Sequence, residues 1–357
     1  MDTTPLLQEV DSLEATVIID NELDPMSPAA PDTVHLAGQI GSIAVRPDSE
    51  ISDRGDATHE LRMGNICCAA HGLSILISKH GAHLVSILQT ATKGGKKHSV
   101  LFDAGPEEDA WERNAKRLRL NLAPVEVIQL SHWHRDHSGG LLRAIRMIKD
   151  AKRSEGISDN LVVDLHPDRP VYRGIALPQQ IVSLEADPTF EEISNTGAVI
   201  EKNDETHTIL DDMFLVSGEI PRVTPYETGL KGAVRYDPES KEWYSDELIA
   251  DERFLAVNVK DKGLVVFTGC SHGGVINATR DAMKHMPENT LLHCVVGGFH
   301  LATSDDVQVQ KTVTDLKRLD PAVLMPGHCS GWRSKFAIEK AMPGTLVPCT
   351  VGTSITF

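Results

Sequence analysis

Aromatic side chains are scarce in this sequence. Phe, Trp and Tyr make 4% of 357 residues, against 41% for all hydrophobic residues. A core must therefore be mostly aliphatic, and the length allows one large domain or two modest ones. Positive charge is also short: 35 Lys and Arg face 51 Asp and Glu, a formal net charge of −16. A chain this acidic repels nucleic acid unless it carries a local basic patch. The nearest candidate, Lys93-Gly94-Gly95-Lys96-Lys97-His98, sits between two strand-like stretches and reads as a solvated hairpin tip. No apolar run approaches the roughly eighteen residues of a membrane helix. Met1-Asp2-Thr3-Thr4 has neither the basic start nor the apolar stretch of a signal peptide. The six cysteines, Cys67, Cys68, Cys270, Cys294, Cys329 and Cys349, are too sparse for a disulfide framework. The expected compartment is the cytosol. The expected partner is a small-molecule substrate, with an anion suggested by the glycine-rich helix starts described below, and no nucleic acid or membrane. A homodimer is compatible with this composition.

What the chain does have is histidine, concentrated in one place. Ser131-His132-Trp133-His134-Arg135-Asp136-His137-Ser138-Gly139-Gly140 puts three imidazoles and a carboxylate within six residues. An apolar run, Val125 to Leu130, leads in, and an amphipathic run, Leu141 to Ala151, leads out, so the segment reads as strand, ligand loop, helix. His132 and His134 suit one metal ion, and Asp136 and His137 a second. Imidazole with carboxylate is a borderline-hard set, right for Zn, Fe or Mn.

Along the rest of the chain, residues 1–15 read as a flexible start and Thr16 to Asp20 as a strand. Residues 24–60, rich in Pro, Asp, Ser and Gly, read as a long loop insertion. Leu73 to Ser78, Leu84 to Leu88 and Ser99 to Phe102 are strand-like, and Glu107 to Leu120 has helical spacing. Leu161 to Leu165 is a further strand, and 167–250 alternates short apolar runs with turns. Phe254 to Val259 and Gly263 to Thr268 are strands. Asn277 to His285 and Val307 to Leu319 are helical, and Leu291 to Val296 and Ala322 to Met325 are strands. Hairpins first and strand–helix alternation later suit two sheets packed face to face with helices outside, an αββα sandwich within an α/β fold, over residues 16–357.

Three more polar clusters follow apolar runs: Thr268-Gly269-Cys270-Ser271-His272-Gly273-Gly274, Gly297-Gly298-Phe299-His300, and Pro326-Gly327-His328-Cys329-Ser330-Gly331-Trp332. Strand ends are where an α/β scaffold gathers distant residues. Singly each is weak, since a lone His after a strand is usually a polar residue with an ordinary partner; the repetition shifts the balance. Cys270 is a core thiol, a nucleophile or a ligand. Gly273-Gly274 and Ser138-Gly139-Gly140 open helices whose free N–H groups suit a phosphate or carboxylate, or are ordinary helix starts. Asp103, closing Leu101-Phe102-Asp103, is either a turn residue or a group that orients a ligand. His166 also follows a strand. Glu219 and Arg222 either bind substrate or form a surface ion pair.

These motifs resemble the metallo-β-lactamase superfamily. His132-x-His134-x-Asp136-His137 matches its signature, Phe102-Asp103-x-Gly105 its upstream Asp, and Pro326-Gly327-His328 its last metal histidine, while Cys270 stands where many members carry a bridging Asp. His71-Gly72-Leu73-Ser74, Thr268 to His272, Gly297 to Leu301 and His328 to Trp332 together resemble the 7,8-dihydropterin-6-yl-methyl-4-(β-D-ribofuranosyl)aminobenzene-5′-phosphate synthase-like subfamily, from about Val17, with Asp20-Asn21, to Phe357. Ala70 and Ala104 depart from its usual acid and Thr. The superfamily's G-H-x-x-G element, with a third histidine, is missing, and His272 is a candidate replacement.

The resemblance implies metal ligands at His132, His134, Asp136, His137, Cys270, His272 and His328, with one or two Zn ions, or Fe or Mn. It implies catalytic roles for Asp136 and His300 and supporting or substrate-binding roles for Asp103, His71, Ser271 and Trp332, to which the position of Glu219 and Arg222 after an apolar run adds those two as further candidates. The chemistry expected is hydrolysis of a small-molecule ester, lactone, thioester or phosphoester by metal-activated water. The alternatives are the condensation in the subfamily's name, oxygen chemistry at iron, or a non-catalytic metal-binding scaffold.

Overall fold

A computed structural model describes residues 7–27, 34–36, 38–44, 46–78, 91–93 and 95–357. Among them are two large sheets and one small one. The nine-stranded sheet runs in the order Val199–Lys202, Val162–Leu165, Val125–Gln129, Lys96–Phe102, Ser74–Ser78, Glu14–Ile19, Thr353–Thr356, Val34–Leu36, with Ala91–Lys93 added beside Lys96–Phe102. The seven-stranded sheet runs His207–Ile209, Phe214–Val216, Leu255–Val259, Gly263–Thr268, Leu292–Gly298, Val323–Gly327, with Glu9–Val10 beside Leu255–Val259.

Both faces of the inner strands are apolar, as strands covered on two sides require. Because successive side chains point to opposite faces, each strand serves two cores. Ile75, Ile77, Val100 and Phe102 meet Val265, Phe267, Cys294 and Val296 between the sheets, and the Phe102 and Phe267 rings lie 6.4 Å apart. Leu76, Leu101 and Ile128 face the other way, onto helices Glu108–Arg117 and Leu141–Ser154. Leu264, Val266 and Val295 face helices Val275–Lys284, Asp306–Leu319 and Trp332–Ala341. The expected αββα sandwich is present.

The Lys93–His98 stretch is the expected hairpin tip: Lys93 pairs with Lys96. The strand expected at Leu84 to Leu88 lies outside the described residues. The start of the chain differs from expectation. From Gln8, whose N–H donates to the Asp212 carbonyl at 2.7 Å, residues are tied down. Glu9–Val10 pairs in parallel with Asn258–Val259, and Val10 and Leu13 sit in the inter-sheet core. Two apolar side chains with a place to bury suffice to anchor the segment.

Part of the alternating 167–250 region forms a third sheet, Gln180–Ser183, Tyr172–Leu177, Ala233–Asp237, Glu242–Ser245. Helix Trp332–Ala341 and strand Thr353–Thr356 were also not anticipated. Among the described residues of the 24–60 stretch, strand Val34–Leu36, helix Ile40–Ala44 and a 3-10 turn at Pro47–Ser49 stand amid loop.

In each large sheet neighbouring strands run parallel: Lys96–Phe102, Val125–Gln129, Val162–Leu165 and Val199–Lys202 in one, and Gly263–Thr268, Leu292–Gly298 and Val323–Gly327 in the other. Their carboxyl ends therefore share a rim, where open α/β sheets place their ligands.

Candidate metal centre

Asp103 follows the strand ending at Phe102, and Ser131 to His137 follow the strand ending at Gln129. Cys270 to His272, His300 and His328 follow Thr268, Gly298 and Gly327. Four of these residues, Asp103, Ser271, His300 and His328, hold left-handed backbone, with φ of 58°, 62°, 47° and 47°. Each costs roughly 1–3 kcal/mol, and such strain concentrates where function fixes a side chain's direction.

Two donor groups form. Asp136, His137, Cys270 and His328 make one, and His132, Cys270 and His272 the other; within each, one donor atom per residue lies within 4.8 Å of the others. Cys270 Sγ belongs to both. It lies 3.2 Å from His137 Nε2 and 3.2 Å from His328 Nε2. His134 Nδ1 joins the second group, 2.9 Å from His132 Nε2 and 3.1 Å from His272 Nε2.

The outer hydrogen bonds decide which ring nitrogens are bare. Asp103, fully buried, accepts from the Ser131 N–H at 2.7 Å, the Ser131 hydroxyl at 2.8 Å and His137 Nδ1 at 2.6 Å. A carboxylate only accepts, so His137 carries a proton on Nδ1 and turns Nε2 inward as the nitrogen available to a metal. With its hydroxyl hydrogen given to Asp103, Ser131 Oγ accepts from His132 Nδ1 at 2.9 Å, which leaves His132 Nε2 bare.

Burial, the largest cause, holds His132, His134 and His272 below the usual histidine range and takes His134 down to about 3, against the opposing pull of Asp136 on His132 and His134. These three rings are neutral and able to ligate. Burial opposes charge on His137 too, but the Asp103 and Asp136 carboxylates outweigh it and raise that imidazole. Burial would raise Asp136, but His137 and His328 outweigh it and hold the carboxyl well below its ordinary value. Burial pushes the Cys270 thiol well up; a coordinated cation reverses that sense and deprotonates the thiol.

The residues fit a metal. Bare imidazole nitrogens, a carboxylate and a thiol crowd together at hydrogen-bond distance with too few protons among them to pair every contact, and the buried His272 Nδ1 has no hydrogen-bond partner. A cation is what such a donor set accommodates.

The other expected residues divide. His71 is at the site, its Nε2 3.5 Å from Asp136 Oδ2. His300 is at the rim, its ring 4.5 Å from that of His272. Ser271 donates its hydroxyl to the Gly298 carbonyl at 2.6 Å and so ties two of the turns together. Arg222 packs beside Gly273 and donates to the carbonyls of Ile220 and Leu248. Glu219 is exposed and outside both donor groups. Trp332 is 65% exposed, with its ring edge-on to Phe336. His166 uses Nδ1 to accept from the Asp168 N–H, outside both groups.

The helix starts expected to hold an anion are filled from within. Glu227 accepts from the Ile276 and Asn277 N–H groups at 3.0 and 2.8 Å, and Glu252 from His272 and Gly273 at 2.9 and 2.6 Å. Gly139 and Gly140 press on the Ala104–Glu107 backbone, where a Cβ would come within 1.7 Å of the Pro106 carbonyl oxygen and 2.2 Å of the Ala104 one. These glycines serve close packing.

Sequence reasoning missed Asp251-Glu252-Arg253. The triplet reads as a charged surface turn, yet its residues are 1%, 2% and 0% exposed. Asp251 accepts from the Trp133 N–H, the Arg253 N–H donates to the Ser131 carbonyl, and the Arg253 guanidinium reaches Asp164 and the Leu130 carbonyl. Arg173 bridges Asp251, Asp246 and the Trp133 carbonyl. The only signal was position, directly before the strand Leu255–Val259.

Comparison with known proteins agrees with this architecture. A family model described as the metallo-beta-lactamase superfamily matches residues 82–211. A Methanocaldococcus jannaschii protein named 7,8-dihydropterin-6-methyl-4-(beta-D-ribofuranosyl)-aminobenzene-5'-phosphate synthase is 27% identical over 260 residues, covering 72% of this chain and 83% of that one. A second M. jannaschii protein, named only as uncharacterized, is 28% identical over 235 residues, 66% of this chain and 80% of its own length. The crystal structure of a metal-dependent hydrolase of the beta-lactamase superfamily superposes with a TM-score of 0.63 at 21% identity, over 96% of this chain and 98% of that one.

Proposed function

We propose, for a chain that has the metallo-β-lactamase fold and resembles that superfamily in sequence, a metal-dependent hydrolase of a small-molecule ester, lactone, thioester or phosphoester. The observation that carries this reading is the meeting of seven donors from both sheets at one rim, two of them, His132 and His137, with Nε2 turned inward by an outer hydrogen bond. His132, His134 and His272 would hold one ion, Asp136, His137 and His328 another, with Cys270 shared; zinc suits this set best. Bound there, the metal supplies Lewis acidity toward a carbonyl or phosphoryl oxygen and lowers the pKa of water.

The chain's own groups do the rest. Asp136, partly exposed beside His71, accepts the proton of the attacking water. His300 at the rim hydrogen-bonds the substrate, and His71 presents a ring N–H beside Asp136. The substrate is small, and the protein works in the cytosol as a monomer or homodimer; among the described residues no helix is long and apolar enough to cross a membrane.

A second reading, condensation of a pterin with a phosphorylated ribosyl arene, is favoured by one observation: the relative bearing the synthase name aligns over 83% of its own length.

The test is elemental analysis of wild type and His134→Ala, with a panel of nitrophenyl esters, lactones and bis(p-nitrophenyl) phosphate. Two zinc per chain, reduced in the variant together with hydrolysis, supports the proposal. Zinc without turnover of any member of the panel turns the reading toward the synthase, and absence of bound metal overturns it.

A further inference from the structure

We propose that Asn21 is a positioning residue whose single amide sets opposite tautomers on two histidines of the metal-loaded site, a bare Nε2 on His328 and a protonated Nε2 on His71. The orientation of the amide follows from the backbone. The Gly72 N–H can only donate, and it lies 3.1 Å from Asn21 Oδ1, so that atom is the carbonyl oxygen. The same oxygen lies 3.0 Å from His328 Nδ1. An acceptor facing Nδ1 keeps a ring proton there, so Nε2, 3.2 Å from both Cys270 Sγ and Asp136 Oδ2, is the nitrogen that gives up its proton to a metal.

The other end of the amide is the NH₂ group, 3.0 Å from His71 Nδ1. An NH₂ group only donates, so His71 Nδ1 is bare and the proton of this neutral ring sits on Nε2. That N–H lies 3.5 Å from Asp136 Oδ2. One side chain thus prepares a ligand on one ring and a proton donor on the other. Asp offers two acceptors and no donor, and Leu neither, so among these three only Asn can do both.

Placement supports the role. Asn21 follows the strand Glu14–Ile19, and its neighbour Asp20 is buried and accepts from the His328 N–H at 2.8 Å. Adjacent residues hold the backbone and the ring of the same histidine. The His71 side chain is 69% exposed, open to a substrate approaching Asp136. Its use as the proton donor to a leaving group rests on the hydrolase reading; the tautomer assignment does not.

The experiment compares wild type, Asn21→Asp and Asn21→Leu in full-length protein with ¹⁵N-labelled histidine, using His71→Gln to assign the His71 signals. Long-range ¹H–¹⁵N correlation reads the tautomers and zinc alone is titrated. Wild type is expected to show His71 protonated on Nε2. Asn21→Asp should move that proton to Nδ1 or add a second one, while zinc binding stays near wild type, because an acceptor still faces His328 Nδ1. Asn21→Leu should weaken zinc binding by about 10-fold or more. An unchanged His71 pattern in Asn21→Asp overturns the proposal, as does wild-type zinc affinity in Asn21→Leu. Should Asn21→Leu not fold, the Asn21→Asp spectrum decides alone. Failure of every substrate in the hydrolysis panel, with the tautomers as described, removes the hydrolase reading and leaves Asn21 in place.

Discussion

The nine-stranded sheet delivers four donors, His132, His134, Asp136 and His137, from a single loop, whereas the seven-stranded sheet delivers Cys270 and His272 from one strand end and His328 from another. In the first, the donors are near because they are near in the chain, and one buried carboxylate, Asp103, fixes both His137 and the Ser131 backbone. In the second, nearness depends on strand order, and the turns are pinned by contacts from elsewhere: Glu252 on His272, the Gly298 carbonyl on Ser271, Asp20 and Asn21 on His328. A loop site is cheap to specify and easy to see; a site assembled from strand ends is specified by the whole fold.

The strongest challenge to this contrast is Asp251. It belongs to the second half yet holds the Trp133 backbone of the first, and with Asp246 it balances the buried Arg173. Asp251→Ala leaves a buried cation half-paired and should cost about 3 kcal/mol of stability in denaturant unfolding. A loss under about 1 kcal/mol would mean that the ligand loop stands without help from the other half.

Cys270→Ala comes next. It removes the one donor common to both groups and should at least halve the zinc content, with an activity loss on the order of 100-fold if the hydrolase reading holds. Full zinc content would show that the loop donors suffice.

Asp103→Asn keeps the shape but offers one acceptor oxygen where two now serve three donors, and should weaken zinc binding by about 10- to 100-fold, read by competition with a chelator. A smaller effect than that of Asn21→Leu would reverse the expected order of the two halves.

The smallest effect is expected away from the centre, where His207 of one sheet meets Asp164 of the other at 2.6 Å. Burial lowers the His207 pKa, but the hydrogen bond and charge of Asp164 outweigh it and raise the folded value above 6.5. A raised histidine stabilises fully below its unfolded pKa and loses that contribution as pH rises through the folded one. His207→Gln should therefore be less stable than wild type at pH 5.5, by under about 1 kcal/mol, with the gap narrowing at higher pH. A gap that widens with pH would refute the pairing.

Much of the fold was legible because strands covered on both faces leave continuous apolar runs, such as Leu264 to Phe267, each ending in a polar residue. The ligand loop was legible because its spacing is local. Helix Trp332–Ala341 was not, since Trp332 and Phe336 put large apolar groups on its exposed face and blur the period. The anion reading of Gly273-Gly274 failed because a helix start recruits whatever carboxylate lies near, and Glu227 and Glu252 are remote in sequence. Asn21 carries no local sign of its role, as its three partners lie at Gly72, His71 and His328.

By itself the sequence determined the sandwich, the loop of four donors and the set of strand ends that would carry the rest. Those depend on side-chain periodicity and on covalent neighbours held a few ångströms apart by the backbone. Only the tertiary structure decided that Cys270 lies in both donor groups, that His272 joins His134, and that Asn21 reaches a histidine more than three hundred residues away. Such pairings depend on strand order and register, and a hydrogen bond forms only within about 3 Å, a tolerance that no spacing along the chain can specify.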